Sequence, residues 1–209
     1  MYIPKNNLIT DTEEIIAFVK QFSFATIVTA KNNYPTATHL PFIVSTRNEK
    51  VILTSHFARA NKHWEEIENA NNLVIFSEPH AYISPKNYDN PVSVPTWNYI
   101  SVHAYGQGKL IMDTEKSFAI LEETIMAYET GYKQQWDSLP MDYKLKMQKG
   151  IVAFEIEVYN LQGKKKLSQN KTQTEQQRII ADLSNSGNDN DSQIANYMRL
   201  HLSDAKLNT

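Results

Sequence analysis

Ile15, Ile16, Phe18 and Val19 form the first apolar stripe of the chain, spaced for one face of a short helix over about 11–21. Thr10 and Glu13 stand at capping-box spacing just before it, and Asp11, Glu13 and Glu14 suit a helix amino terminus. The period then shortens. Ser23 to Ala30 is β-branched and aromatic and is closed by Lys31, Asn32 and Asn33, as a strand running into a turn would be. Pro35 to Ser45 and Val51 to Ser55 repeat the pattern, with Thr46 to Glu49 as the second turn. Two successive hairpins predict an antiparallel meander rather than βαβ units.

Ala60 to Asn69 reads as a helix and Leu73 to Phe76 as a buried strand. Pro79 to Pro95 reads as a long loop, of the kind that carries function or moves. Val94 to Met112 holds two strand candidates separated near Gly106. Phe118, Leu121, Ile125 and Tyr128 predict a helix over about 114–130, and a second helical stretch follows at about 139–148. Ile151 to Val158 reads as a half-exposed strand. After Lys171 the chain becomes polar, and Asn185 to Asp191 divides the remainder into two short helices. The expected fold is therefore α+β, mainly β: an antiparallel split β-barrel with peripheral helices, since closure removes exposed sheet edges. Residues 1–171 would form the barrel domain and 172–209 a helical tail.

Composition narrows the chemistry. The 209 residues carry 21 Lys and Arg against 23 Asp and Glu, a net charge of -2, which excludes nucleic-acid binding through bulk positive charge. There is no cysteine, so disulfides, zinc–thiolate sites, iron–sulfur clusters and thiol catalysis are out. No apolar run approaches the ~20 residues of a membrane span, and the segment after Met1 lacks a signal-peptide core; the expectation is a cytoplasmic protein that does not enter a membrane. With six glycines, neither a dinucleotide fingerprint nor a P-loop is present. The six histidines show no metal-ligand spacing, so no metal is expected, and no nucleophile elbow supports a Ser–His–Asp triad.

Three stretches could carry chemistry. Thr54 to Trp64 places Ser55, Arg59, Asn61 and Lys62 where a strand gives way to a predicted helix, a natural anion site; the plain alternative is a solvated helix start with Trp64 in the core. In Val94 to Gly106, Trp97, Tyr99 and Tyr105 share one strand face by period two, with His103 between, and could flank a planar ring or simply pack. Leu161 to Lys171 holds four lysines after a strand, either a solvated basic turn or a second positive contribution to an anionic cofactor.

Met1 to Pro4, Ala37 to Phe42, Ser55 to Asn61, Pro79 to Pro85, Val94 to Tyr99 and Lys166 to Asn170 together resemble the PaiB-like family, FMN-binding proteins with a negative transcriptional regulator label. The pieces span nearly the whole chain in order. The resemblance implies a flavin-reductase or pyridoxamine-oxidase type split barrel that forms a homodimer with FMN at the subunit interface. It assigns the FMN phosphate to Ser55, Arg59, Asn61 and Lys62, beside His56 in the same motif, and runs Thr38 and His39 along the ribityl chain and ring edge. It brings Lys166, Ser168, Gln169 and Asn170 in near the dimer seam and sets Trp97 and Tyr99 on the apolar side of the ring. Two positions depart from the pattern, Lys165 and Asn87, where the family commonly has tryptophan. The resemblance implies a regulatory or redox-sensing flavoprotein. An FMN-dependent oxidoreductase using NAD(P)H is the alternative, and a haem-binding variant is conceivable. Direct DNA binding is the weakest reading, because Lys164 to Lys166 is the only dense basic run and no helix-turn-helix stands out.

Overall fold

In the computed structural model, which describes residues 1–207 and side chains through Ser203, strands and helices follow in this order. The first half contains β1 (Leu8–Ile9), α1 (Thr12–Gln21), β2 (Phe24–Lys31), β3 (Tyr34–Pro41), β4 (Ile43–Arg47), β5 (Lys50–Ala58), β6 (Asn71–Phe76) and β7 (His80–Ile83). Then come β8 (Thr96–Ile111), α2 (Thr114–Tyr128), α3 (Lys133–Ser138), α4 (Met141–Lys149), β9 (Ile151–Lys166), α5 (Gln173–Ser184) and α6 (Asp189–Leu207). The sheet path is β3-β2-β6-β8-β9-β5-β4, with β1 paired to β9 and β7 to β8. The recorded registers are antiparallel, as the meander reading expects.

The chain forms two compact units. The larger comprises Ile16–Phe76 and His103–Leu161. Its two hairpins turn on residues with positive φ, Asn32 and Asn33 in one and Asn48 and Glu49 in the other. Both turns close in two residues, Lys31 opposite Tyr34 and Arg47 opposite Lys50, the geometry whose twist matches that of the strands. Phe42, Phe57, Phe76 and Phe154 are fully buried, and Phe57 stacks on Phe154 with ring centroids 4.7 Å apart. Asp113 caps α2 by accepting from Lys116 N at 2.8 Å.

The other unit comprises Met1–Ile15, Ser77–Val102 and Gln162–Thr209, so α5 and α6 group with the amino-terminal segment and the β7–β8 hairpin. Its core includes Ile83, Ile100, Leu167, Ile179 and Ile194. A capping box starts α5: Glu175 N donates to Thr172 Oγ1, and the Glu175 carboxylate accepts from Thr172 N.

Several local expectations change. Asp11, not Thr10, receives Glu13 N at the start of α1. The helix expected over 60–69 is two short 3-10 turns, Lys62–Glu65 and Ile67–Asn69. Asn72 is one cause, since its amide takes the carbonyls of Ile67 at 2.8 Å and Ala70 at 3.1 Å. The long loop contains β7, which pairs His80 with Tyr99 and Ile83 with Thr96. Gly106 does not divide β8. A Cβ there would lie 2.6 Å from Glu157 O, so glycine marks the close approach of a neighbouring strand. The lysine run is not a turn either; β9 continues through Lys166.

Candidate cofactor site

The strand-end group lies in the larger unit, where β5 ends and the 3-10 turns begin. Asn61 caps the first turn by accepting from His63 N at 3.1 Å, and its amide donates to Thr38 Oγ1 at 3.1 Å. Thr38 Oγ1 in turn lies 2.8 Å from His63 Nδ1. The three side chains form one network between β3 and the turn. His63 is buried against Phe57, and burial pushes its imidazole pKa down, partly offset by the Glu66 carboxylate. Its Nε2 has no partner, and neither has the buried Nδ1 of His56, whose pKa burial also lowers.

The expected phosphate donors are spoken for to different degrees. Ser55 is buried and donates to Pro41 O at 2.6 Å. Arg59 is exposed, yet its Nε donates to Lys149 O at 2.7 Å and its Nη2 to Ile151 O at 2.8 Å. Lys62 pairs with Glu65 at 2.9 Å. With a four-residue 3-10 turn after Asn61, the helix amino terminus expected to meet an anion is missing, and the side chains must do that work. His39 is exposed on β3 beside the Phe24 ring.

The remaining expected residues lie in the other unit, and the aromatic row divides accordingly. Trp97 is 53% exposed and clusters with Tyr82 and His80, at centroid distances of 5.8 and 5.9 Å. Within the larger unit, His103 faces Tyr105 at 6.4 Å. Tyr99 receives the Lys164 ammonium 5.0 Å from its ring centre. Around the end of β9, a pocket of about 610 Å³ is lined by Lys166, Ser168, Gln169 and Asn170 together with Lys5, Lys171 and Tyr88, among others. Lys166 Nζ bonds Thr96 Oγ1, and burial lowers its pKa, with Tyr99 opposing and Lys164 adding to the shift. Lys165 pairs with Glu14, and Asn87 donates to Asp182 at 3.2 Å; neither lines this pocket.

Sequence reasoning assigned no role to His63 or Asn98. Asn98 is completely buried and exchanges hydrogen bonds with Ser168 Oγ at 3.0 and 3.1 Å. A polar residue at an inward strand position, between Trp97 and Tyr99, was the available sign.

Residues 1–160 match the family described as "Putative FMN-binding domain". The chain belongs to this family. It is also 39% identical over 204 residues to "Protease synthase and sporulation protein PAI 2" of Bacillus subtilis, covering 95% of this chain and 96% of that one. Among solved structures, it resembles the flavocytochrome Anf3 of Azotobacter vinelandii at a TM-score of 0.62 and 15% identity, covering 79% of this chain and 72% of that chain. It resembles the FAD and heme binding protein of Mycobacterium smegmatis at a TM-score of 0.61 and 13% identity, covering 77% and 73%. Those two likenesses speak for the fold alone, and they agree with the split barrel. FMN is the cofactor of the family.

The strand-end residues fit such a group in kind. A phosphate takes hydroxyl, amide and guanidinium donors, and Ser55, Asn61 and Arg59 are one of each kind. The unpartnered nitrogens of His56 and His63 are buried polar atoms of the sort a bound group satisfies. Lys62 fits less well, being already neutralised by Glu65.

Proposed function

We propose that the chain is a cytoplasmic FMN-binding homodimer whose flavin serves regulation or redox sensing. The observation that carries the reading is the family match over residues 1–160, which contains the whole strand-end group. In this reading Arg59 and Asn61 hold the phosphate, with the Ser55 hydroxyl exchanging Pro41 O for it. Thr38 and His39 follow the ribityl chain, His56 donates from the side, and a second subunit encloses the ring. Bound FMN would supply a reversible two-electron centre. The protein's part is to bind the phosphate, orient the ring and exclude water.

Regulation is carried over from the Bacillus relative, whose name ties it to protease synthesis and sporulation. Direct DNA contact is less well supported than control through the flavin or a partner protein. Of the basic run, Lys164 is buried, Lys165 pairs with Glu14 and Lys166 bonds Thr96, so it offers little exposed charge to phosphates. Among the described residues no helix is long and apolar enough to cross a membrane.

The test is mixing of the FMN-loaded protein with NADH and with NADPH, first anaerobically and then in air. The regulatory reading expects at most one reduction per bound flavin. Continuous nicotinamide oxidation without added acceptor protein, in air, would make it an oxidoreductase instead.

A further inference from the structure

We propose that His63 is a positioning residue of the flavin site: it takes the Thr38 hydroxyl proton, so that Thr38 meets the cofactor as a hydrogen-bond acceptor and selects a hydroxyl-bearing chain. This rests on the flavin reading above, which runs the ribityl chain past Thr38, and adds a residue that acts through Thr38 from behind.

Each hydrogen in the network has one consistent place. His63 N is a backbone donor, so the Asn61 atom it meets at 3.1 Å is the amide oxygen. Asn61 therefore turns its NH2 group to Thr38 Oγ1, also at 3.1 Å. A hydroxyl has one proton to give and two lone pairs with which to accept. Asn61 occupies one lone pair, and His63 Nδ1, 2.8 Å away, receives the proton. One lone pair is left on Thr38, a half-buried residue, for a ligand.

The surroundings of His63 agree with this assignment. To accept at Nδ1 the ring must be neutral. It is 3% exposed, with the Phe57 ring 5.2 Å away, and burial lowers its pKa. The carboxylate that opposes this shift, Glu66, itself accepts from Thr36 Oγ1 at 3.2 Å. The reverse tautomer fits worse, since two donors would then crowd one hydroxyl while its own proton found no acceptor in the network. With the proton on Nε2, that nitrogen is buried without a partner, a cost that an apolar side chain of similar shape would avoid. What histidine adds over such a filler is the Nδ1 acceptor.

An accepting Thr38 separates two ligand chemistries. The O–H of a polyol chain meets its free lone pair, whereas a phosphate or carboxylate oxygen would set lone pair against lone pair. The anion is left to Arg59, whose guanidinium keeps N–H groups beyond the two that hold Lys149 O and Ile151 O. The strand-end group thus reads a hydroxylated chain and an anion at different residues.

The test compares the affinities of FMN and of a flavin phosphate with no hydroxyls on its chain, followed by flavin fluorescence, with a nitrogen-15 NMR spectrum of the imidazoles at pH 7. Wild type should prefer FMN. Thr38→Val should cut that preference about three- to tenfold, the scale of one neutral hydrogen bond, and His63→Leu by a similar factor. The double variant should lose no more than either alone, because the two residues act as one unit. His63→Asn, whose Oδ1 stands where Nδ1 does, should restore most of the preference, and His63→Gln should not. The NMR spectrum of wild type should show a neutral His63 ring protonated at Nε2, its signals assigned by their loss in His63→Asn. A ring protonated at Nδ1, or charged at pH 7, would overturn the proposal whether or not the variants fold. So would equal affinity for the two flavins, a preference unchanged in His63→Leu, or His63→Gln rescuing as well as His63→Asn. Wild-type protein that binds neither flavin would defeat the flavin reading itself, and the proposal with it.

Discussion

Thr38 Oγ1 stands 2.8 Å from His63 Nδ1, and this contact, closed by Asn61, joins β3 to the turn after β5. Thr38→Val keeps the shape and removes the hydroxyl, leaving the Asn61 amide and the buried imidazole short of a partner. The expected cost is about 1–3 kcal/mol, read from the urea midpoint. An unchanged midpoint would show that the network adds nothing to stability.

Arg59 has a structural task besides its proposed ligand. Its guanidinium bridges the carbonyls of Lys149 and Ile151, at the junction of α4 and β9. Arg59→Lys keeps the charge and loses the two-point grip. Both Arg59→Lys and Arg59→Ala should lower the melting temperature. FMN affinity should fall about tenfold or more in Arg59→Ala and less in Arg59→Lys, as followed by flavin fluorescence quenching.

His56, His63 and His103 each have their pKa lowered chiefly by burial, below the ordinary value of 6.5. The unfolded chain therefore binds more protons than the folded one as the pH falls past 6.5, and stability declines from there down to the folded pKa values. Above pH 6.5 the stabilisation is fully present. Thermal melts between pH 8 and pH 5 should show a flat upper region and then a falling midpoint, with a shallower fall in His56→Gln. A midpoint that rises on acidification would contradict the burial account.

Ser168 offers a test of backbone strain. Ser168→Ala retains the left-handed residue and deprives Asn98 of its partner, whereas Ser168→Gly loses the same hydroxyl but relieves the backbone. The glycine variant should be the more stable of the two by about 1 kcal/mol in urea unfolding. The opposite order would mean that the turn is not strained.

Gly106→Ala would push a methyl group to within 2.6 Å of Glu157 O and 2.3 Å of Ile156 Cγ2. The strand backbone cannot yield easily, so a loss of about 1–3 kcal/mol is expected from the urea midpoint. A neutral substitution would show that β8 and β9 are more loosely packed than described.

The local periodicities were legible where a single element decides its own form. The Asn32–Asn33 turn, α1 and α2 lie within a residue or two of their expected positions, because φ preference, capping and apolar spacing act over a few neighbours. Features set by distant partners were not legible. Gly106 resembled a break because its neighbour on β9 is 50 residues away, and residues 60–69 resembled a helix because the competing donor is the Asn72 side chain. The same holds for the site. Motif residues around Arg59 could be named from the chain, but their internal acceptors, Pro41 O, Lys149 O and Ile151 O, are backbone atoms that no sequence pattern reveals. The lysine run looked like solvated charge because its strand, with Lys164 and Lys166 on one face and Lys165 on the other, continues past the apolar stretch that marked it.

The most direct measurement is the visible absorption spectrum of the purified protein before and after adding FMN, taken together with its native mass. The account predicts flavin bands near one FMN per chain, perturbed from those of free flavin, on a species of twice the 24.0 kDa chain mass. A chain-sized species that stays colourless and leaves the spectrum of added FMN unaltered would contradict it.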